Sequence, residues 1–173
     1  MKTNAATEPA VEIVETTLMP RSQPAHRCRR AADSWWYQGA LVMPLLTGAD
    51  TGGAFSLLDM CLQRGMEPPL HTHRHEDETC YVLEGRICYQ VEDATFVAGP
   101  GDVVHLPRGR QHGFRLESDY ARVLLYITPA GFENFFRAQA EPAGALVVPP
   151  LPSGPPDMLR LVALSRQFGL TVG

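Results

Sequence analysis

The chain has 173 residues, which is enough for one domain with a substantial core and short extensions. Its formal net charge of −4 argues against nucleic acid as a partner, because binding to phosphates requires a clustered positive surface. No apolar run approaches the roughly 20 residues of a membrane helix, and no apolar segment follows a basic N-terminus, so we expect a cytoplasmic protein without a membrane span or a secretion signal.

The first part of the chain, residues 1–33, is polar and interrupted by prolines, which indicates an N-terminal arm whose arginines form a solvated basic tract. Residues 34–128 then alternate between short apolar segments and corners rich in Gly, Pro and Asp, which recur about every 8 to 12 residues. This spacing predicts an all-β sandwich or barrel. The predicted strands cover residues 54–62, 80–83, 87–91, 95–98, 103–106, 112–116 and 122–127.

The period of the apolar residues changes after residue 128. Thr128-Pro129 is typical of a helix start. Three phenylalanines follow at helical spacing, Phe132, Phe135 and Phe136. We expect this helix to pack on the outside of the barrel, and a second helix to be capped by Asp157 and to end at Gly169. Residues 129–173 are therefore predicted to form a helical extension, and because such helices often pack on a second copy, we expect a homodimer.

Residues 65–85 contain a dense cluster of metal-binding residue types. Three histidines and three carboxylates lie close together there: His71, His73, His75, Glu76, Asp77 and Glu78. In an extended strand His71 and His73 point to the same face, and a turn after them would bring Glu78 back toward them at the start of the next strand. Two imidazoles and one carboxylate near one point are suited to a divalent metal.

A second stretch, residues 101–116, adds His112 at a turn punctuated by Pro and Gly. Three neutral imidazoles and one carboxylate leave open positions on a divalent ion that accepts more than four ligands. Catalysis or ligand binding requires such open positions, whereas a structural zinc site is closed and rich in Cys. These residue types do not choose among Fe, Ni, Mn, Co, Cu and Zn.

In order, the two stretches match G-x5-H-x-H-x4-E-x6-G and G-x5-P-x-G-x2-H. The matching residues are Gly65, His71, His73, Glu78, Gly85, Gly101, Pro107, Gly109 and His112. The two blocks resemble the paired motifs of the cupin superfamily, although Leu116 stands where that family's second motif often ends in Asn. The resemblance implies that residues 34–128 fold as a double-stranded β-helix, the all-β jelly-roll barrel of the cupins, followed by one or two α-helices. It also implies that the three matching histidines and Glu78 hold one divalent transition metal.

Within the cupins, the His-x-His-x4-Glu block and the trailing GFENFF segment most resemble small single-domain proteins related to quercetin 2,3-dioxygenases. This resemblance implies a flavonol-like small-molecule substrate whose deprotonated hydroxyl binds the metal and whose ring is opened with dioxygen. Two other functions stay open, because the fold does not choose among them. One is a non-redox metal-dependent isomerase, cyclase or lyase, and the other is a small-molecule-binding cupin without turnover.

The parity of side chains along the strands predicts the walls of a substrate pocket. Phe114 and Leu116 share the face of His112, and apolar residues on other strands should complete the wall. These residues are Phe55 or Leu57, Met60 and Val82. Cys80 lies on the same strand face as Glu78 and is a further candidate for the wall, with plain packing as the alternative.

Glu78 is also the candidate general base, because a carboxylate that leaves the metal can take a proton from a bound hydroxyl. Glu76, Asp77 and His75 are expected to face outward into solvent. Strand alternation does not predict the side on which His105 lies.

Overall fold

The structure, a computed structural model, describes residues 24–154 and 157–173, so the predicted arm up to residue 23 lies outside it. In chain order the strands are β1 (Trp35–Tyr37), β2 (Ala40–Leu46), β3 (Ser56–Gln63), β4 (His71–His73), β5 (Asp77–Glu84), β6 (Ile87–Val91), β7 (Ala94–Ala98), β8 (Val103–Leu106), β9 (His112–Leu116), β10 (Tyr120–Thr128), β11 (Glu141–Pro142) and β12 (Leu170–Val172). The helices are a 3-10 turn (Ala31–Asp33), α1 (Gly48–Thr51), α2 (Glu133–Gln139) and α3 (Met158–Gln167).

The strands form two antiparallel sheets. The larger sheet has seven strands in the order β11-β1-β2-β3-β10-β5-β8, and the smaller has five in the order β12-β4-β9-β6-β7. The main core takes buried side chains from both sheets, such as Leu58 on β3 and Ile87 on β6, so the sheets enclose a common interior. The architecture is the predicted all-β jelly roll with helices toward the C-terminus.

Several predicted strands have the bounds that the structure shows, namely residues 87–91, 103–106 and 112–116. Strand β5 begins earlier than predicted, at Asp77 rather than at residue 80, because Asp77 already pairs with Thr128, the last residue of β10. Glu78 therefore lies inside a strand that is paired on both sides, with β10 and β8.

Two short strands from the C-terminal part of the chain join the sheets. Strand β11 pairs with β1 in the larger sheet. Strand β12 pairs with β4, where Leu170 lies opposite His73 and Val172 lies opposite His71. The strand that carries two of the motif histidines thus has β9 on one side and β12 on the other. The division into residues 1–33, 34–128 and 129–173 stays a prediction.

The predicted start of the first C-terminal helix is wrong. Thr128 is the last residue of β10 and pairs with Asp77, and no helical turn begins directly after it. Helix α2 begins only at Glu133, after Gly131, whose φ of +135° lies outside the helical region. Pairing within the sheet therefore outweighs the local tendency of Thr128-Pro129 to start a helix.

The predicted cap of the last helix is confirmed. The side chain of Asp157 accepts a hydrogen bond from a backbone N–H in the first turn of α3. The helix ends at Gln167, and Gly169 beyond it has a φ of +68°, the left-handed conformation that glycine adopts readily. Leu161 and Leu164 anchor the helix on the main core.

The outer face of the larger sheet carries a buried ionic cluster around Asp59. This carboxylate is fully buried and accepts two hydrogen bonds from Arg122, at 2.9 and 2.7 Å, while Nε of Arg29 lies 2.7 Å from it. Burial raises the pKa of Asp59, and the charge of Arg29 only partly offsets this. Arg27 pairs with Asp50. Both arginines are about half exposed, in agreement with a solvated tract, but their guanidinium groups also pair with Asp50 in α1 and Asp59 in β3 and so tie the N-terminal segment to the barrel.

Replacing Arg122 with Met should destabilise the fold by about 3 kcal/mol, because it removes two hydrogen bonds and leaves the buried Asp59 with only one cationic partner. Urea unfolding followed by circular dichroism measures this loss. The matched control is Arg115→Met, since Arg115 meets Glu117 in an exposed pair at 3.5 Å and should change stability little. Equal stability of the two variants would contradict the prediction.

None of the helices within residues 24–154 and 157–173 is long and apolar enough to cross a membrane. Cys61 and Cys80 are buried free thiols, as expected for small apolar side chains, whereas Cys28 is exposed. The homodimer and the cytoplasmic location stay predictions.

Candidate metal centre and pocket

The structure brings His71, His73, Glu78 and His112 together, with one ligand atom of each within 4.8 Å of the others. Nε2 of His73 lies 3.7 Å from one oxygen of Glu78, and Nε2 of His112 lies 3.6 Å from the other oxygen. The three imidazole rings face one another with centroids 4.7 to 5.4 Å apart. These three imidazoles and one carboxylate converge on a single point in the interior.

The two sheets each supply part of this cluster. His71 and His73 lie on β4, and His112 lies on β9 directly opposite His71, so the histidines share one face of the smaller sheet. Glu78 projects from β5 of the larger sheet. The cluster therefore bridges the two sheets, and its geometry depends on how they pack.

The glycine at the end of β5 holds that strand in place. Gly85 has a φ of +83°, and a Cβ atom there would lie 2.3 Å from the backbone oxygen of Tyr120. Any larger residue would push β5 away from the neighbouring chain segment. The last glycine of the first motif is thus required by the packing of the backbone, whether or not the site binds a metal.

Backbone carbonyls orient two of the three imidazoles. Nδ1 of His71 lies 2.9 Å from the oxygen of Pro69, and Nδ1 of His112 lies 3.0 Å from the oxygen of Arg110. Because a carbonyl oxygen only accepts hydrogen bonds, both rings carry their proton on Nδ1 and leave Nε2 as a free lone pair. Nε2 of His112 is buried and has no hydrogen-bond partner within the described part of the chain. A buried, inward-facing lone pair beside a carboxylate fits a bound cation.

The electrostatics of the cluster favour the metal-binding forms of His71 and Glu78. Burial lowers the pKa of His71 to about 4, so this ring is neutral at physiological pH. Burial alone would raise the pKa of Glu78, but His73, His112 and His71 outweigh it and lower the pKa to about 2. Burial likewise opposes the charged form of His73, yet the carboxylates of Glu78 and Glu76 leave its pKa above the ordinary value. Glu78 is therefore an anion among imidazoles, the state in which a carboxylate serves as a ligand.

The structure corrects one of the outward-facing predictions. Glu76 is buried, and one of its oxygens lies 3.8 Å from Nδ1 of His73. It lies in the bend between β4 and β5, where the alternation of a regular strand does not apply. His75 is exposed, as predicted.

Asp77 and His105 both lie away from the cluster. Asp77 accepts hydrogen bonds from Arg108, including one of 2.6 Å from its guanidinium, and these bonds lower the pKa of Asp77 to about 2. His105 is exposed, and its Nδ1 lies 3.0 Å from the hydroxyl of Thr79. The side on which His105 lies, which the sequence did not indicate, is thus the outside of the barrel.

A cavity of about 440 Å³ opens from the cluster. Met60, Cys80 and Phe114 line it, as the sequence analysis predicted. Burial raises the pKa of the Cys80 thiol to about 12, so it stays protonated and behaves as an apolar wall residue.

Four predicted wall residues do not line this cavity. Phe55 and Leu57 have the parity of Asp59, opposite to that of Met60, and the ring of Phe55 instead stacks on Tyr126 with centroids 4.9 Å apart. Val82 and Leu116 do point into the interior, but they are completely buried in the packed core away from the cavity. Side chains that point inward from the strands include residues of the packed core as well as residues of the cavity wall. Strand alternation alone does not distinguish the two, so the prediction was too broad.

The phenylalanine stripe forms a wall that the sequence analysis placed on the outside. Phe132, Phe135 and Phe136 are buried and line the cavity, and the ring of Phe132 lies edge-on to His73 with centroids 4.2 Å apart. Tyr37 packs against Phe136 at 5.2 Å and extends the aromatic wall. The sequence did contain a signal for this inward position. Three phenylalanines within five residues carry more apolar surface than a short helix on the outside of the barrel would bury.

Known proteins share both this fold and this sequence pattern. Residues 58–128 match the family of cupin domains. A quercetin 2,3-dioxygenase of Bacillus subtilis (strain 168) is 30% identical over 100 residues, which are 58% of this chain but 30% of that protein's length. The chain therefore spans less than a third of this relative.

Solved structures agree on the fold. The RmlC-like cupin from Shewanella frigidimarina NCIMB 400 is 19% identical and superposes with a TM-score of 0.54 over 65% of this chain and 98% of that chain. Pac13, a nucleoside dehydratase, is 14% identical and superposes with a TM-score of 0.51 over 64% of this chain and 88% of that chain.

The fold and the cluster together define a jelly-roll protein with a histidine and carboxylate site between its two sheets. With the family match, they identify residues 58–128 as a cupin domain.

Proposed function

We propose that this cupin is a metal-dependent dioxygenase that acts on an aromatic or enol-bearing small molecule of the flavonol type. The observation that carries the proposal is the convergence of the four-residue cluster on one end of an aromatic-walled cavity. The similarity to a quercetin 2,3-dioxygenase supports the same reaction class. In this proposal His71, His73, Glu78 and His112 hold one divalent ion of Fe, Ni, Mn, Co, Cu or Zn.

When bound there, such an ion supplies an open coordination position for an oxygen ligand and, if redox-active, electron transfer. The chain itself supplies orientation and exclusion of water. Phe132 beside His73 covers one side of the cluster with an apolar surface, and the burial of His73, Glu78 and His112 keeps bulk water away from them.

The lining of the cavity indicates the class of substrate. Among its described lining residues there is no lysine or arginine, so a phosphate or a polyanionic sugar would find no cationic side chain there. The carboxylate of Glu67 is already engaged by the backbone N–H groups of Gly65 and Leu116, at 2.8 and 3.1 Å. The remaining surface is largely aromatic and aliphatic, which favours a flat, apolar substrate with one ionisable hydroxyl.

Glu78 is the residue that could also move a proton. It lines the cavity and is ionised, so its carboxylate is free to accept a proton from a substrate hydroxyl. A group with a pKa of about 2 is a weak base at neutral pH, however. The role as a ligand is therefore better supported than the role as a base, which requires the carboxylate to leave its imidazole partners.

The test is metal analysis followed by an oxygen assay. The protein is purified without added metal, its metal content is determined by inductively coupled plasma mass spectrometry, and oxygen uptake is then followed with a flavonol. We expect near-stoichiometric Fe, Ni, Mn, Co or Cu and flavonol-dependent oxygen consumption. Stoichiometric Zn without oxygen uptake would favour an isomerase, cyclase or lyase, and absence of metal even after reconstitution would favour a binding protein. Either result would overturn the proposal.

A further inference from the structure

The three imidazoles of the cluster differ in what their outward nitrogens meet. Nδ1 of His71 and Nδ1 of His112 are each held by a backbone carbonyl. Nδ1 of His73 meets no carbonyl and, within the described residues, is buried without a hydrogen-bond partner. An oxygen of the Glu76 carboxylate lies 3.8 Å from it.

The same oxygen of Glu76 is also buried and unpartnered within the described residues. Only 9% of the Glu76 side chain is exposed, so water does little to solvate it. Two buried polar atoms that lack partners are costly apart, whereas a small rotation of either side chain would join them in a hydrogen bond. The geometry therefore pairs these two atoms with each other.

His73 lies between two carboxylates at nearly equal distances. Glu76 is 3.8 Å from its Nδ1, and Glu78 is 3.7 Å from its Nε2. A neutral imidazole has one N–H, so its proton can face only one of them. If the proton faced Glu78, Nε2 would have no lone pair to offer to a cation.

We propose that Glu76 is a positioning residue for the cluster: its carboxylate accepts a hydrogen bond from Nδ1–H of His73 and so keeps the lone pair of Nε2 on the side where the ligand atoms of the cluster converge. It does for His73 what the backbone carbonyls do for the other two histidines. Carboxylates in this position also increase the donor strength of the imidazole. Glu76 does not line the cavity, so it touches neither the substrate nor the ion. This inference rests on the proposed function, because it concerns the same cluster. The tautomer of His73 can nevertheless be measured in the metal-free protein, independently of any activity.

The first experiment reads the tautomer directly. The ring nitrogens of His73 are assigned by long-range 1H–15N NMR in the metal-free protein at alkaline pH, where the imidazole is neutral. We expect the proton on Nδ1 in the wild type and in Glu76→Gln, whose amide oxygen still accepts the bond. We expect it to move toward Nε2 in Glu76→Ala. An unchanged tautomer in Glu76→Ala would overturn the inference.

The second experiment measures affinity for Zn²⁺ and Co²⁺ alone by isothermal titration. Glu76→Ala should weaken binding by about 10- to 100-fold, and Glu76→Gln should recover part of the loss. Glu117→Ala is the matched control, because Glu117 pairs only with Arg115 in an exposed contact among the described residues. Equal affinity of Glu76→Ala and wild type would overturn the inference. If the wild type binds neither ion, the proposed function fails, and the NMR result still decides the role of Glu76.

Discussion

His112→Ala is expected to lose nearly all of the bound metal, with an affinity loss greater than about 100-fold, the upper range for residues that only support a ligand. His112 is fully buried, and its Nε2 lies 3.6 Å from Glu78 with no other partner in the described chain. Its ring also stacks parallel to that of His73, so the substitution removes a ligand and loosens a second one. Metal content after dialysis, measured by mass spectrometry, checks this expectation.

The matched control is His105→Ala, which removes an exposed histidine from the opposite side of the barrel wall. It should keep the full metal content. His112→Gln fills similar space with a polar side chain and separates ligand loss from a cavity effect on folding. Full retention of metal in either folded His112 variant would refute the four-residue site.

If Glu78 acts as a base, Glu78→Gln is expected to keep part of the metal and to lose turnover by about 100-fold or more per bound ion, because the amide does not accept a proton. The buried carboxylate has two imidazole nitrogens within 3.7 Å, so its charge also balances the site. Oxygen uptake normalised to metal content distinguishes the loss of a ligand from the loss of a base.

The matched control is Asp77→Asn, the neighbouring carboxylate, whose partner is Arg108 on the outside. This variant should turn over at the wild-type rate. If Glu78→Gln has an unchanged rate per bound ion, Glu78 has no role as a base. Because the pKa of Glu78 is about 2, an acid limb near neutral pH in the rate profile should not originate from this group.

The approach of His71, His73 and Glu78 was predictable from local rules, whereas His112 was added through the second motif and its resemblance to the cupins, because its strand pairs with β4 across a long loop. Alternation along β4 places His71 and His73 on one face, and a short reversal returns the chain to Glu78. The strands at residues 87–91, 103–106 and 112–116 follow from corners that Gly and Pro define regardless of their surroundings.

What sequence reasoning missed depends on packing between distant segments. Glu76 lies in a bend, where no periodicity predicts burial. The position of Leu57 required knowing which face of β3 covers the core, and apolar side chains lie on both faces of that strand because residues near Cys61 pack in a second cluster. The inward position of Phe132 depends on where β10 ends, because Phe132 lies between the end of that strand and the start of α2 and lines the cavity.

The pairing of β4 with β12 sets an order of assembly for the chain. His71 and His73 are made early, but the strands that flank them begin at His112 and Leu170, so closing this part of the sheet requires long loops. Such non-local pairings form slowly compared with neighbouring hairpins. During synthesis from the N-terminus, the histidine strand gains its second neighbour only after residues 170–172 have left the ribosome. We therefore expect both edges of β4 to be paired only late in folding, after residues 170–172 have been synthesised.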